Sequence, residues 1–299
     1  MTNRRSFIKQ STALSALSVL PSVSLWESLF QDGFKMEALR NNVGIFTERG
    51  GTIGWMISDE GIIVVDSQFP AQAKNLVGEI QKKSDRQVDL LINTHHHGDH
   101  SAGNIAFKGI VKTVMAHENS LKNQKANAER AGNADQQLFP DTTYKKGKFR
   151  QKVGGERVAM HYFGAAHTDG DSFVHFENAN IVHCGDLLFN RRAPFVDKSA
   201  GANMTNWQEV MEKGYKEFDK DTQFVYGHSG NGFGITGTRD DLKAFQNYLS
   251  QVMEFVKKGA AAGKTKEELA KATEIPGAPE WKGGQARPVN AAWSELFEE

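Results

Sequence analysis

Residues 93–100 read NTHHHGDH, which places four of the chain's ten histidines in eight positions with Asp99 among them. Neutral imidazole and carboxylate are the groups that bind zinc, iron or manganese in proteins, so the crowding points to metal chemistry. The preceding run VDLLINT (88–94) reads as a buried strand. Alternate residues of a strand share a face, so His95 and His97 are expected to point the same way and share one cation. Gly98 permits a turn, after which Asp99 and His100 could hold a second cation beside the first. His96 faces away and is read as a spacer. A catalytic zinc takes about four ligands and keeps one position for water, so further donors are needed. Three segments offer them, each at a strand end beside glycine: GAAHTDGD (164–171) with His167, HCGDLLF (183–189) with Asp186, and YGHSG (226–230) with His228.

These donors need a scaffold that brings strand ends together. NVGIFTE (42–48) and TIGWMIS (52–58) read as strands joined by a tight turn at 49–51, and GIIVVDS (61–67) as a strand buried on both faces. PAQAKNLVGEIQKK (70–83) is helical, with Pro70 suited to its first turn. KTVMA (112–116) reads as a strand and 117–130 as a polar helix that His117 begins. RVAMHYF (157–163), DSFVHFE (171–177), NIVHCGD (180–186) and TQFVYG (222–227) read as strands. Helices are expected over 206–218, capped by Asn206, and over 238–258, where Leu242, Phe245, Leu249, Val252 and Val256 form one stripe and Thr238 and Asp241 have near-capping-box spacing. Thr265 and Glu268 open a last short helix that stops before Pro276. Strands alternating with helices imply mixed sheets covered by helices on the outside.

Composition narrows the function classes. Basic and acidic residues balance at 36 each, without the basic excess that nucleic-acid binding usually demands. The single cysteine, Cys184, excludes an intramolecular disulfide and a cysteine-based structural zinc site. It reads as a buried strand residue. The N-terminus NRRSFIKQ, followed by STALSALSVLPSVSLW, has paired arginines and then a short uncharged run, as in a twin-arginine export signal. That run is too short and too serine-rich for a spanning helix. The expectation is a signal over 1–30 and a functional domain over 36–299, delivered folded to the periplasm or otherwise exported through the twin-arginine machinery. Residues 1–26 hold no acid, so losing Arg4, Arg5 and Lys9 takes 36 basic residues to 33 against 36 acidic ones.

The pattern His95-x-His97-x-Asp99-His100, followed by His167, Asp186 and His228, resembles the metallo-β-lactamase superfamily, with all seven ligand positions filled between about residues 42 and 250. The resemblance implies an α/β fold, a four-layer αβ/βα sandwich of two mixed sheets flanked by helices with the metals at one edge. By the same resemblance His95, His97 and His167 hold one ion, Asp99, His100 and His228 the second, and Asp186 bridges them. It implies two zinc ions, with iron or manganese as alternatives, and a bridging hydroxide that attacks a carbonyl substrate such as a β-lactam, lactone or thioester. Asp99 then doubles as the catalytic residue that orients the nucleophile or passes a proton. The best-known zinc β-lactamases carry cysteine where this chain has Asp186, while Cys184 stands two residues earlier. An aspartate bridge resembles instead glyoxalase II and the lactone-hydrolysing quorum quenchers. The competing reading is an iron-dependent oxidoreductase of the same fold acting on sulfur or oxygen substrates. In neither reading is nucleic acid the partner; a small molecule is.

The remaining features carry weaker expectations. The turn ERGGTIG (48–54) is either a mobile hairpin over the substrate or an ordinary one. Arg191 and Arg192, just after Asp186, lie near the expected cleft, where one could pair with a substrate carboxylate or both could be solvated. Asp66 ends a core strand and is read as orienting a ligand histidine. His161, His175 and His183 lie on strands and are read as packed rather than metal-bound.

Overall fold

Four consecutive β-branched residues, Ile62–Val65, have no exposed surface at all, and this run shows how the layers form. Ile63 and Val65 face a core shared with the second sheet, while Ile62 and Val64 face a core under a helix. A strand with apolar residues on both faces requires a layer on each. The computed structural model describes residues 33–298, so the export-signal reading of 1–30 lies outside the described residues.

The first sheet has seven strands in chain order: β1 (Lys35–Arg40), β2 (Val43–Thr47), β3 (Ile53–Ile57), β4 (Ile62–Val65), β5 (Leu90–Asn93), β6 (Val114–His117) and β7 (Thr142–Tyr144). Strands β1 to β4 are antiparallel neighbours, and β4 to β7 are parallel. The second sheet contains β8 (Gly147–Val153), β9 (Glu156–Tyr162), β10 (Phe173–Phe176), β11 (Ile181–His183), β13 (Gln223–Val225) and β15 (Thr236–Gly237), in the order β15-β13-β11-β10-β9-β8. Only its β11–β13 pair is parallel. Two short segments, β12 (Phe189–Asn190) and β14 (His228–Ser229), pair separately.

Seven helices complete the described chain: α1 (Pro70–Lys83), α2 (Gly98–Ser101), α3 (Glu118–Ala131), α4 (Met204–Glu217), α5 (Asp240–Ala261), α6 (Lys266–Leu269) and α7 (Ala286–Phe297). Between the sheets, Ile63, Val65 and Ile92 meet Val158, Met160 and Val174. Leu76 and Ile80 of α1 cover the outer face of the first sheet. Trp207 of α4, Phe245 and Leu249 of α5 and Val289 of α7 cover Phe173, Val182 and Phe224 of the second. This is the expected sandwich of two mixed sheets between helical layers.

The departures from the sequence reading have local causes. Strands β1 and β8 were not expected, because KMEALR and GKFRQKV are sheet edges with largely exposed, charged side chains and no clean alternation. Helix α7 was not expected either. Pro288 suggests a break, yet it sits in the first turn, where its missing N–H costs nothing. Helix α4 starts at Met204, capped by Asn203, whose side chain accepts from the N–H of Asn206 at 2.6 Å. Asn206 is thus the donor, not the cap. Only half of the Thr238–Asp241 box forms: Asp241 accepts from the Thr238 N–H at 3.0 Å, and Arg239 is the cap residue.

Candidate metal centre

Parallel pairing decides where the donors meet. Strands β4 and β5 run the same way, as do β11 and β13, so within each pair the chain leaves at one edge. Asp66 follows β4, His95–His100 follow β5, Asp186 follows β11 and His228 follows β13. The loop between β9 and β10 supplies His167. All seven donors expected from the sequence come together in two groups. In each, one ligand atom per residue lies within 4.8 Å of every other: His95, His97, His167 and Asp186 in the first, Asp99, His100 and His228 in the second.

The first group does not form by strand alternation, because β5 ends at Asn93. His97 instead precedes α2 as its N-cap. His95 turns Nε2 inward and His97 turns Nδ1, and the two atoms are 3.1 Å apart. His167 Nε2 lies 2.8 Å from the same His97 nitrogen. The outward nitrogens all have acceptors. His95 Nδ1 is 3.0 Å from Thr94 Oγ1, a hydroxyl that donates to Asp66. His97 Nε2 donates to Asp197 at 2.9 Å, and His167 Nδ1 donates to the Phe195 carbonyl at 2.7 Å. The protons therefore reside on the outer nitrogens, and three lone pairs converge. Burial reinforces this, pushing His95 well below its ordinary range and His167 down to about 3.

The second group is more anionic. His228 Nε2 is 3.1 Å from Asp99 Oδ2, and His100 Nε2 is 3.1 Å from Asp186 Oδ1. His100 Nδ1 lies 2.7 Å from Asp66 Oδ2. Burial would lower His100, but Asp186 and Asp66 outweigh it and raise it well above its usual value. Burial likewise would raise Asp186, but His228 and His100 outweigh it and hold the carboxyl well below the usual range. Asp186 links the groups: Oδ2 is 3.5 Å from His167 Nε2, and Oδ1 is 3.5 Å from His228 Nε2.

The donor set fits a pair of cations. His100 Nε2 and Asp186 Oδ1 are buried and make no well-directed hydrogen bond among the described residues. A buried acceptor and three facing lone pairs are costly unless a cation satisfies them. Backbone geometry supports the same end. Asp66 adopts φ 64°, a left-handed conformation that aspartate tolerates better than most residues, and from it accepts both the Thr94 N–H and the Thr94 hydroxyl at 2.8 Å. Glycine is required where the backbone touches a donor: a Cβ on Gly51 would lie 2.1 Å from the His100 ring, and one on Gly227 would lie 2.1 Å from Asp186 Oδ1.

The family model described as the metallo-β-lactamase superfamily matches residues 47–228, more than half of the chain and every donor above. The chain belongs to the metallo-β-lactamase superfamily. It is a metal-dependent hydrolase. It is 24% identical over 241 residues to a type 2 metallo-β-lactamase from Elizabethkingia meningoseptica, covering 76% of this chain and 88% of that protein. A metallo-β-lactamase structure from Pontibacter korlensis shares the fold, with a TM-score of 0.59 and 18% identity over 73% of this chain and 99% of that one. A stereoselective inverting sec-alkylsulfatase from Pseudomonas sp. matches more of the chain, 88%, with a TM-score of 0.68 and 13% identity. The chain spans half the length of that alkylsulfatase.

Other expectations resolve against this metallo-β-lactamase frame. The 48–54 hairpin is built into the site's base. The Gly51 N–H donates to Asp99 O at 3.0 Å, Gln68 Nε2 donates to Gly51 O at 2.6 Å, and the Thr52 N–H donates to Gly227 O at 3.1 Å. Arg191 is not free for substrate: it donates to Asp241 and, at 3.2 Å, to Glu280. Cys184 is fully buried and absent from both donor groups. His117 caps α3, and His183 Nε2 is 3.0 Å from Thr52 O. His161 is buried and belongs to neither donor group.

Two supporting residues escaped the sequence reading. Asp197 holds His97, and His96 approaches the same oxygen at 3.6 Å, so His96 is packed against the site's support. His96 and His97 together hold the Asp197 carboxyl far below its usual range. Asp171 accepts from the Thr168 N–H at 2.6 Å and the Thr168 hydroxyl at 2.7 Å, shaping the loop that carries His167. Burial pushes Asp171 up to about 8. No spacing marks Asp197; Asp171 stood inside the quoted loop, but nothing separated it from Asp169.

Proposed function

We propose that this protein is an exported dinuclear zinc hydrolase of small carbonyl substrates, in the class of lactones, thioesters and β-lactams. His95, His97 and His167 would hold one ion, Asp99, His100 and His228 the other, and Asp186 would contact both. The observation that carries this reading is the convergence of three unprotonated imidazole nitrogens on one point, with a carboxylate shared with a second, more anionic group. Bound zinc supplies Lewis acidity and lowers the pKa of water to about 7. The chain's own residues do the rest. Asp66, Asp197 and the Phe195 carbonyl fix the tautomers of three of the histidines. Asp99 has 30% of its side chain exposed, against 5% for Asp186, so it is the carboxylate that faces incoming substrate and can orient a nucleophile or carry a proton. An aspartate in the linking position supports a general carbonyl hydrolase over a dedicated β-lactamase.

The test is metal content by mass spectrometry on purified protein, followed by turnover of nitrocefin, a homoserine lactone and a glutathione thioester. The expected result is two zinc ions per chain and hydrolysis of at least one probe, with both lost in Asp99→Ala and His97→Ala. Full activity in a metal-free variant would overturn the mechanism, and iron as the bound metal would favour the oxidoreductase alternative. Export through the twin-arginine machinery rests on Arg4 and Arg5. Replacing both with lysine should retain the protein in the cytoplasm on cell fractionation; unchanged periplasmic recovery would refute it. No described helix is long and apolar enough to cross a membrane.

A further inference from the structure

A closed circuit of four hydrogen bonds lies behind the second half of the metal centre. His183 Nε2 donates to Thr52 O at 3.0 Å, and the Thr52 N–H donates to Gly227 O at 3.1 Å. The Gly227 N–H donates to Gly185 O at 2.8 Å, and the Gly185 N–H donates back to His183 Nδ1 at 3.1 Å. Two links run from backbone to backbone; the His183 imidazole supplies the other two. Because Nδ1 accepts from an amide, the ring proton sits on Nε2 and points at the Thr52 carbonyl. The imidazole is buried, and burial lowers it below its ordinary range, which keeps it neutral. Gly54 of β3 faces it: a Cβ there would lie 3.0 Å from His183 Cδ2, so the ring is confined on that side.

Each backbone member of the circuit adjoins a donor of the centre. Asp186 follows Gly185, and His228 follows Gly227. Gly51, which precedes Thr52, gives its N–H to Asp99 O at 3.0 Å and packs against the His100 ring. Three segments far apart in the chain, at 51–52, 183–186 and 227–228, are thereby held in one arrangement. Breaking either imidazole bond leaves a backbone N–H or C=O unpaired in a buried setting, which the segments relieve by moving apart. The first half is anchored elsewhere: His95, His97 and His167 take their outer hydrogen bonds from Thr94, Asp197 and the Phe195 carbonyl. Asp186 reaches that half too, but three histidines remain there to hold an ion.

We propose that His183 is a positioning residue for the second ion, its imidazole closing the circuit that sets Asp99, Asp186 and His228 relative to one another. This rests on the two-ion reading above. The test compares the full chain with His183→Leu, which removes both imidazole bonds, and His183→Asn, which keeps an acceptor for the Gly185 N–H. In chelator-competition titration with zinc, His183→Leu should bind the second ion about tenfold more weakly, the low end for outer partners because His183 acts through backbone. His183→Asn should recover part of that loss. Adding His183→Leu to His228→Ala, which leaves the first ion alone, should leave the remaining affinity as it was. Equal weakening of both ions marks general scaffolding and overturns the proposal, as does an unchanged second ion in both His183 variants. A second readout needs no metal. In the metal-free chain, amide exchange at Gly51, Thr52 and Gly185 should quicken in His183→Leu, while that of Thr94, whose N–H is held by Asp66, should not. Unchanged protection at those three amides would also overturn the proposal. If His183→Leu does not fold, His183→Asn carries both measurements, with exchange quickened at Gly51 and Thr52 and kept slow at Gly185. If the wild type binds a single zinc at saturation while the exchange pattern stands, the two-ion reading fails and the role of His183 in setting those three donors does not.

Discussion

The two halves of the metal centre reach the same end by different physics. In the His95–His97–His167 half, burial keeps His95 and His167 neutral, and neither has exposed surface. The Asp99–His100–His228 half is built from charge: Asp66 and Asp186 flank His100, and Asp99 and His228 keep 30% and 13% of their side chains exposed. The first half offers lone pairs in a dry setting, and the second offers negative charge open to solvent. A buried neutral set resists loss of its ion because water and chelators reach it slowly. A half-exposed anionic set attracts a cation readily and exchanges it readily.

The largest test of that contrast is the residue the halves share. Asp186→Ala should strip both ions and cut turnover by more than about 100-fold, beyond the range for losing an outer partner; retention of two metals would dissolve the two-group picture. Chelation should then separate the halves. Dialysis against EDTA should pass through a one-metal species, with the Asp99 half emptied first. Simultaneous release, or the reverse order, would contradict the burial argument. Next come the outer partners. Asp197→Asn should weaken metal binding by about 10–100-fold through His97, and Asp66→Asn by a similar factor through His100. Competition titration should assign the two losses to different halves; loss from the same half would break the comparison.

Smaller effects test the supports. Gly51→Ala drives a methyl into the His100 ring and should cost about 1–3 kcal/mol in urea unfolding as overpacking, with the loss of metal confined to the second half. The smallest change expected is Cys184→Ala, a buried truncation worth about 1 kcal/mol that leaves metal stoichiometry untouched. Metal loss in that variant would mean the cysteine, not Asp186, serves the centre.

Particular residues show why some of this was legible in the chain and some was not. The β4 and β5 strands stood out because a run such as IIVV is apolar on both faces, and burial on both faces is what parallel pairing between layers demands. The edges β1 and β8 did not, because edge strands spend their side chains on water. The donors were legible because histidine and aspartate beside glycine at strand ends are few, and their spacing follows a known pattern. Asp197 was not, since its role depends on a contact across 100 positions. Arg191 and Arg192 are adjacent and alike in sequence. Only the packing of α5 and the C-terminal segment gives Asp241 and Glu280 to Arg191 and not to Arg192.

By itself, the sequence determined which side chains can bind metal and which stretches must be strands, because side-chain chemistry and apolar patterning are local properties. Tertiary structure decided which nitrogen of each histidine turns inward, which carboxylate supports which ring, and which arginine is taken up by ion pairs. Each of those depends on distances between segments far apart in the chain, and only the folded layers set them.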